Sequence, residues 1–149
     1  MGRMTTTFSH FGICVSDLDR SLRFYCDGLG FTQAEQHQIG PEFAALMELD
    51  DVTLTSQFIR QGDTTIELLA FAVPSPEGDP VRRAINRLGL THLNFRVDDL
   101  PGTAQRLRDL GGLVVESTRT TFDFGETALD FVYCTDPDGV RIELMDLGG

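Results

Sequence analysis

The chain has no tryptophan, only two tyrosines and only 12 basic side chains against 23 acidic ones, a formal net charge of −11. The shortage of positive charge argues against nucleic-acid binding, because a phosphate backbone rewards clustered lysine and arginine. It disfavours an anionic membrane surface for the same reason. Cysteine is also scarce: Cys14, Cys26 and Cys134 are an odd set without framework spacing. A disulfide scaffold is therefore not expected, and reduced thiols in a cytoplasmic protein are. No apolar run reaches membrane-spanning length, and no N-terminal stretch has the pattern of a signal peptide. Met4, followed by three threonines, offers a second start, with residues 1–3 as an extension ahead of it.

What the chain does have is core material and a repeat. Its 149 residues are 41% hydrophobic with 11 phenylalanines, enough for one compact domain or two small modules sharing a core. Ser9-His10-Phe11-Gly12-Ile13-Cys14-Val15-Ser16-Asp17-Leu18 is echoed by Thr91-His92-Leu93-Asn94-Phe95-Arg96-Val97-Asp98-Asp99-Leu100, at an offset of 82 (92 − 10). Ile66-Glu67-Leu68 is echoed by Ile142-Glu143-Leu144, at an offset of 76 (143 − 67). An internal repeat is diagnostic of architecture. Here its polar members are two His and two Glu, all divalent-metal ligand types.

Each half reads as a strand, a helix and three further strands. In the first half, alternation predicts a strand over 8–15. Ser16 or Asp17 can cap a helix with Leu18, Leu22, Tyr25 and Leu29 on one face, stopped by Gly28 and Gly30. Strands follow over 31–38, 52–60 and 64–71, with Gln61-Gly62-Asp63 as a hairpin turn and a short helical insertion over 43–49. The proline-rich stretch 74–80 is a linker, continued by a short helix over 80–88. The second half gives strands over 92–97, 113–117, 129–135 and 140–146. Its helix is capped by Asp98 or Asp99, and Asp136-Pro137-Asp138-Gly139 is a turn. The expected plan is α+β: modules at 7–73 and 91–147 joined by 74–90, forming a curved mixed sheet around a cleft with the helices outside.

Residues i and i+2 of a strand share a face. Phe11, Ile13 and Val15 should pack beneath a helix, as should Leu93, Phe95 and Val97. His10, Gly12 and Cys14 then face the other way, as do His92, Asn94 and Arg96. Glu67 shares a face with Thr65, Leu69 and Phe71, and Glu143 with Arg141 and Met145. A lone strand histidine is usually a hydrogen-bonded structural residue, and a lone glutamate in such a strand is usually solvated. Recurrence at equivalent places is what singles out His10, Glu67, His92 and Glu143. His37 has no counterpart in the repeat and is expected to be a surface strand residue. Two imidazoles and two carboxylates suit Fe²⁺, Co²⁺, Ni²⁺, Mn²⁺ or Zn²⁺.

The repeat, together with Phe24-Tyr25-Cys26-Asp27-Gly28-Leu29-Gly30-Phe31 and Asp136-Pro137-Asp138-Gly139-Val140-Arg141-Ile142-Glu143, resembles the vicinal-oxygen-chelate superfamily over almost the whole chain. The resemblance implies paired βαβββ modules and one metal held by His10, Glu67, His92 and Glu143. It also implies a small-molecule substrate of α-hydroxycarbonyl, thioester or dicarbonyl type chelated through two oxygens, and a homodimer. Four ligands favour the isomerase and lyase branch. Within that branch, 62–69 and 80–92 resemble methylmalonyl-CoA epimerase, and glyoxalase I is the other near likeness. The resemblance departs where that epimerase has a second catalytic glutamate, because Asp50-Asp51 stands there. Glu143 is the first candidate for general base, Glu67 the second, and Asp50 or Asp51 a candidate for returning a proton from the other face. Arg141, Arg96 and Asn94 are substrate-binding candidates, the arginines for a carboxylate or phosphate. The alternatives are a catechol-cleaving dioxygenase using His10, His92 and Glu143, and a non-enzymatic protein that sequesters a small molecule.

Overall fold

A computed structural model describes residue 2 and residues 4–149; the rest of the possible N-terminal extension lies outside the described residues. The chain divides into two compact units. Met1–Leu18 and Phe31–Pro76 form the first, and Asp19–Gly30 and Glu77–Gly149 form the second.

The first unit is a four-stranded sheet of β1 (Phe11–Cys14), β2 (Thr32–Ile39), β3 (Thr53–Gln61) and β4 (Thr64–Val73), in the order β1-β4-β3-β2. β1 runs parallel to β4, and the other pairs are antiparallel. The alternation in the first strand takes the expected direction: Ile13 and Val15 are buried, while Gly12 and Cys14 are exposed. Gly62 turns the β3–β4 hairpin at φ 55°, a left-handed conformation that a two-residue turn requires and glycine adopts without strain. β2 has a bulge between Gln33 and Gln36. The buried Gln57 amide fills it, donating to the carbonyls of Ala34 at 3.1 Å and Phe58 at 2.9 Å. This satisfies backbone acceptors that the bulge leaves without ladder partners.

The insertion after β2 is less helical than its sequence suggests. Only Pro41–Phe43 forms a 3-10 turn, followed by further turns that end with Glu48 at φ 59°. Leu49 N–H then bonds back to the Ala44 carbonyl at 3.0 Å, a Schellman-type stop. The segment is held by packing: Ala44 forms a core with Val52 and Leu54, and Met47, Leu49, Leu69 and Phe71 pack against it. Burying a side chain such as Leu54 contributes about 1.5–3 kcal/mol. The insertion thus covers one end of the face that carries Glu67.

The second unit repeats the sheet with β5 (Leu93–Arg96), β6 (Leu113–Asp123), β7 (Ala128–Thr135) and β8 (Arg141–Asp146), in the order β5-β8-β7-β6. The fold is accordingly α+β, with two mixed four-stranded sheets of identical strand order. Asp99 caps α2 (Leu100–Asp109), accepting from Gly102 N–H at 3.0 Å. α2 packs against β6, β7 and β8, and against a helical stretch contributed by the first half of the sequence. That stretch begins as α1 (Leu18–Leu22) and widens into a π-helix, Arg23–Gly28. Phe24 and Tyr25 are both fully buried. A β-carbon at Gly112 would lie 2.7 Å from the Phe24 ring and 2.7 Å from the Thr135 carbonyl, so only glycine fits there. The Tyr25 hydroxyl donates to Asp136 at 2.8 Å, and the other Asp136 oxygen accepts the N–H groups of Asp138 and Val140. Asp136 therefore builds the turn that aims β8. Burial raises its pKa above the usual aspartate value despite these donors.

Two expectations are corrected in this unit. No helix forms over 80–88; the segment is irregular apart from one turn, in which Arg87 N–H bonds to the Ala84 carbonyl at 3.1 Å. Val81, Ile85, Leu88 and Leu90 are all exposed, so a short helix there would bury no apolar face, and short helices depend on such packing. β6 extends to Asp123, beyond the expected end at 117. Its outer part is an exposed two-stranded ribbon with β7, which has no buried face and hence no apolar alternation to read. A bulge between Val115 and Thr120 is plugged by the Thr118 hydroxyl, which donates to the Val115 carbonyl and accepts from Tyr133 N–H.

Candidate functional site

The parallel pairing of β1 with β4 sets Gly12 beside Glu67 and carries His10, just ahead of β1, to the same side. His10 Nε2 lies 3.6 Å from Glu67 Oε1. The Ser9 hydroxyl lies 2.7 Å from His10 Nδ1, and the Ser56 hydroxyl donates to Glu67 Oε2 at 2.6 Å. Phe58, opposite Glu67 on β3, meets the His10 ring edge-on at 5.1 Å. His37 is exposed on β2, as expected, with its ring 6.1 Å from that of Phe58.

The second unit repeats the arrangement. His92 Nε2 lies 3.9 Å from Glu143 Oε1, and the Thr91 hydroxyl lies 2.9 Å from His92 Nδ1. Asn94 pairs with Glu143 across β5 and β8, and its amide donates to Glu143 Oε1 at 2.5 Å. Tyr133, opposite Glu143 on β7, has its ring 6.0 Å from that of His92. The Arg141 guanidinium lies over the Tyr133 ring at 4.8 Å.

The donor chemistry fits a metal. With Nδ1–H donated to the neighbouring hydroxyl, each histidine keeps its Nε2 lone pair turned toward a carboxylate. Neither His–Glu pair is close enough for a direct hydrogen bond. Two donors each about 2.1 Å from one ion can be up to about 4.2 Å apart, and both pairs lie within that limit. All four side chains are between 21% and 34% exposed, open enough for a ligand to arrive. Each unit supplies two donors. Among the described residues, no group of three or more His, Cys, Asp or Glu side chains is gathered on one point.

The remaining candidates fall in different places. Arg141 stands on β8 beside Glu143's partner Tyr133, and Arg96 is exposed at the end of β5 opposite Met145. Asp51 is exposed, and its carboxylate accepts Val52 N–H at 2.9 Å. It precedes Thr53, and the five steps from Thr53 to Phe58 span roughly 17 Å of strand. Asp51 therefore lies at the far end of the sheet from Glu67. The sequence reading overlooked the residues that contact the candidate ligands: Ser9, Thr91, Ser56, Phe58 and Tyr133. Ser9 and Thr91 carried a signal, a hydroxyl residue directly before each repeated histidine. Ser56 and Phe58 did not, because only the β3–β4 register brings them to Glu67.

Fold and site together define a two-module protein with one oriented His–Glu pair in each module. A family model described as the Glyoxalase/Bleomycin resistance protein/Dioxygenase superfamily matches residues 7–144, and the chain belongs to that superfamily. The chain is 31% identical to a probable lactoylglutathione lyase of Synechocystis, over 91% of this chain and 92% of that protein. It is 26% identical to an ethylmalonyl-CoA/methylmalonyl-CoA epimerase of Cereibacter sphaeroides, over 95% and 98%. The crystal structure of a glyoxalase family protein from Bacillus cereus superposes with a TM-score of 0.82 over 99% of this chain and 97% of that one; at 20% identity this likeness shows the fold. No helix among the described residues is long and apolar enough to cross a membrane.

Proposed function

We propose that the protein is a metal-dependent isomerase or lyase that moves the α-proton of a small substrate held through two oxygens. The observation that carries this reading is the duplicated pair, His10 with Glu67 and His92 with Glu143, each histidine braced at Nδ1 by a hydroxyl. Each pair would offer two donors to a divalent ion (Fe, Co, Ni, Mn or Zn), and the protein would act as a homodimer. When bound, the ion supplies Lewis acidity to an α-hydroxycarbonyl, thioester or dicarbonyl substrate. Glu143 takes the proton at a carboxylate oxygen, and Glu67 is its counterpart on the other module. Asn94 holds the Glu143 carboxylate in place for that transfer. Arg141 orients an anionic group of the substrate. The relatives named as a lyase and an epimerase support this class of chemistry, and three cysteines that form no disulfide among the described residues support a reducing, cytoplasmic setting.

The test is Glu143→Gln. The amide oxygen can still coordinate, so the variant should retain metal while turnover falls at least about 10²-fold. In heavy water the wild type should place deuterium at the substrate α-carbon without consuming oxygen. Oxygen uptake matching product formation would assign a dioxygenase instead. Full activity in the variant would remove Glu143 from the base role.

A further inference from the structure

All twelve cationic side chains of this acidic protein are arginines. Three of them, Arg82, Arg83 and Arg141, line one cleft of about 400 Å³ in the second unit, with Val81, Leu113 and Thr135. None of the three takes part in an ion pair among the described residues, whereas Arg20, Arg60, Arg108 and Arg119 each face a carboxylate. In a chain with nearly twice as many acids as bases, three uncompensated guanidinium groups at one concavity form a local positive field against the overall charge.

The cleft is built, not incidental. The turn segment that replaces the expected helix lies across the sheet end: the Arg141 guanidinium donates to the Arg83 carbonyl, and Arg83 itself donates to the Leu88 carbonyl at 3.0 Å. A β-carbon at Gly139 would come within 2.8 Å of the Pro80 and Val81 backbone, so the β7–β8 turn holds this segment closely. The cleft is also continuous with the ligand face. Leu113 pairs with Thr135, Thr135 with Arg141, and Tyr133 with Glu143, so all these side chains share a face. Arg141 is two residues from Glu143, about 7 Å along the strand.

We propose that this cleft is the substrate's tail subsite: it binds an anionic group, a phosphate or a carboxylate, on a molecule whose reacting end reaches Glu143. The inference rests on the reading above only for what stands at Glu143. The anion site itself needs no metal. The turn segment has a function on this account: it places two arginine forks where a planar or tetrahedral oxyanion can be held by several N–H donors at once.

Calorimetric titration of the full-length protein at about 0.1 M salt, where distant surface charge is screened, tests this directly. Inorganic pyrophosphate represents a phosphate tail and S-methylglutathione a carboxylate tail. One of them should saturate at one per chain, and which one does so identifies the tail. The double variant Arg82→Gln/Arg83→Gln should bind it at least about tenfold more weakly. Arg82→Gln alone should weaken it measurably, and that side chain has no described hydrogen bond or ion pair to lose, so folding is not at issue. Arg87→Gln, the same charge loss outside the lining, should change it less than about threefold. A chelator or Glu143→Gln should leave binding intact, which separates this subsite from the proposed metal chemistry. Saturation by neither probe, equal weakening by Arg87→Gln, or loss of binding on chelation would overturn the proposal.

Discussion

The Asn94 side-chain amide donates to Glu143 Oε1 at 2.5 Å, from the neighbouring parallel strand. In the first module the equivalent strand position is Gly12, and the Ser56 hydroxyl, arriving from β3, binds Glu67 instead. The two carboxylates are thus held from opposite sides of their strands. Replacing Asn94 by Ala should free Glu143 and lower metal affinity about tenfold, the lower end of what partners of metal ligands contribute. Competition against a metal indicator reads this. Unchanged affinity would mean that the bond orients nothing.

The three histidines should separate. His10→Ala and His92→Ala should each strip most of the metal, while His37→Ala, exposed on β2, should change metal content little. At an ion concentration about 100 times its dissociation constant, binding adds about 2.7 kcal/mol of stability, so chelation should lower the thermal midpoint. Elemental analysis beside a melting curve tests both. Equal losses from all three variants would sink the argument from repeat position.

Asp136 should impose a pH dependence of known sign. Its pKa is raised in the folded protein, chiefly by burial, so the folded state holds the proton more tightly than the unfolded chain does. That stabilisation is fully present below the unfolded aspartate pKa and is lost as pH rises through the folded value. Asp136→Asn, which keeps an acceptor for Val140 and Asp138, should lack this fall. The stability difference between variant and wild type should therefore shift in the variant's favour as pH climbs from about 3.5 toward 7. A flat difference across that range would contradict the sign.

Gly112→Ala should destabilise by about 1–3 kcal/mol, the usual result of forcing a methyl group into a filled core. The strain would fall on the Phe24 ring and on the Thr135 and Leu107 carbonyls. A denaturant midpoint indistinguishable from the wild type would show that these elements yield freely.

Much of this protein follows from the sequence alone, because the deciding physics is local. Alternation over a few residues distinguishes the buried Ile13 and Val15 from the exposed Gly12 and Cys14. Asp99 marks the start of α2, and the glycine–aspartate turn after β3 marks a hairpin, because capping and turn geometry involve only neighbours. Repetition of His and Glu at matching places pointed to the four candidate ligands without any coordinates. What tertiary structure decided is everything that joins distant residues. The helix of the first half packs in the second unit, its Tyr25 hydroxyl bonded to Asp136 across 111 residues of sequence. The parallel β1–β4 and β5–β8 registers, not spacing, bring His10 to Glu67 and His92 to Glu143. The stretch over 80–88 has helical composition but no surface to bury it against, so it became the rim of an arginine-lined cleft. Propensity and periodicity describe one segment at a time, whereas the partner each segment finds is set by the surfaces the rest of the chain presents.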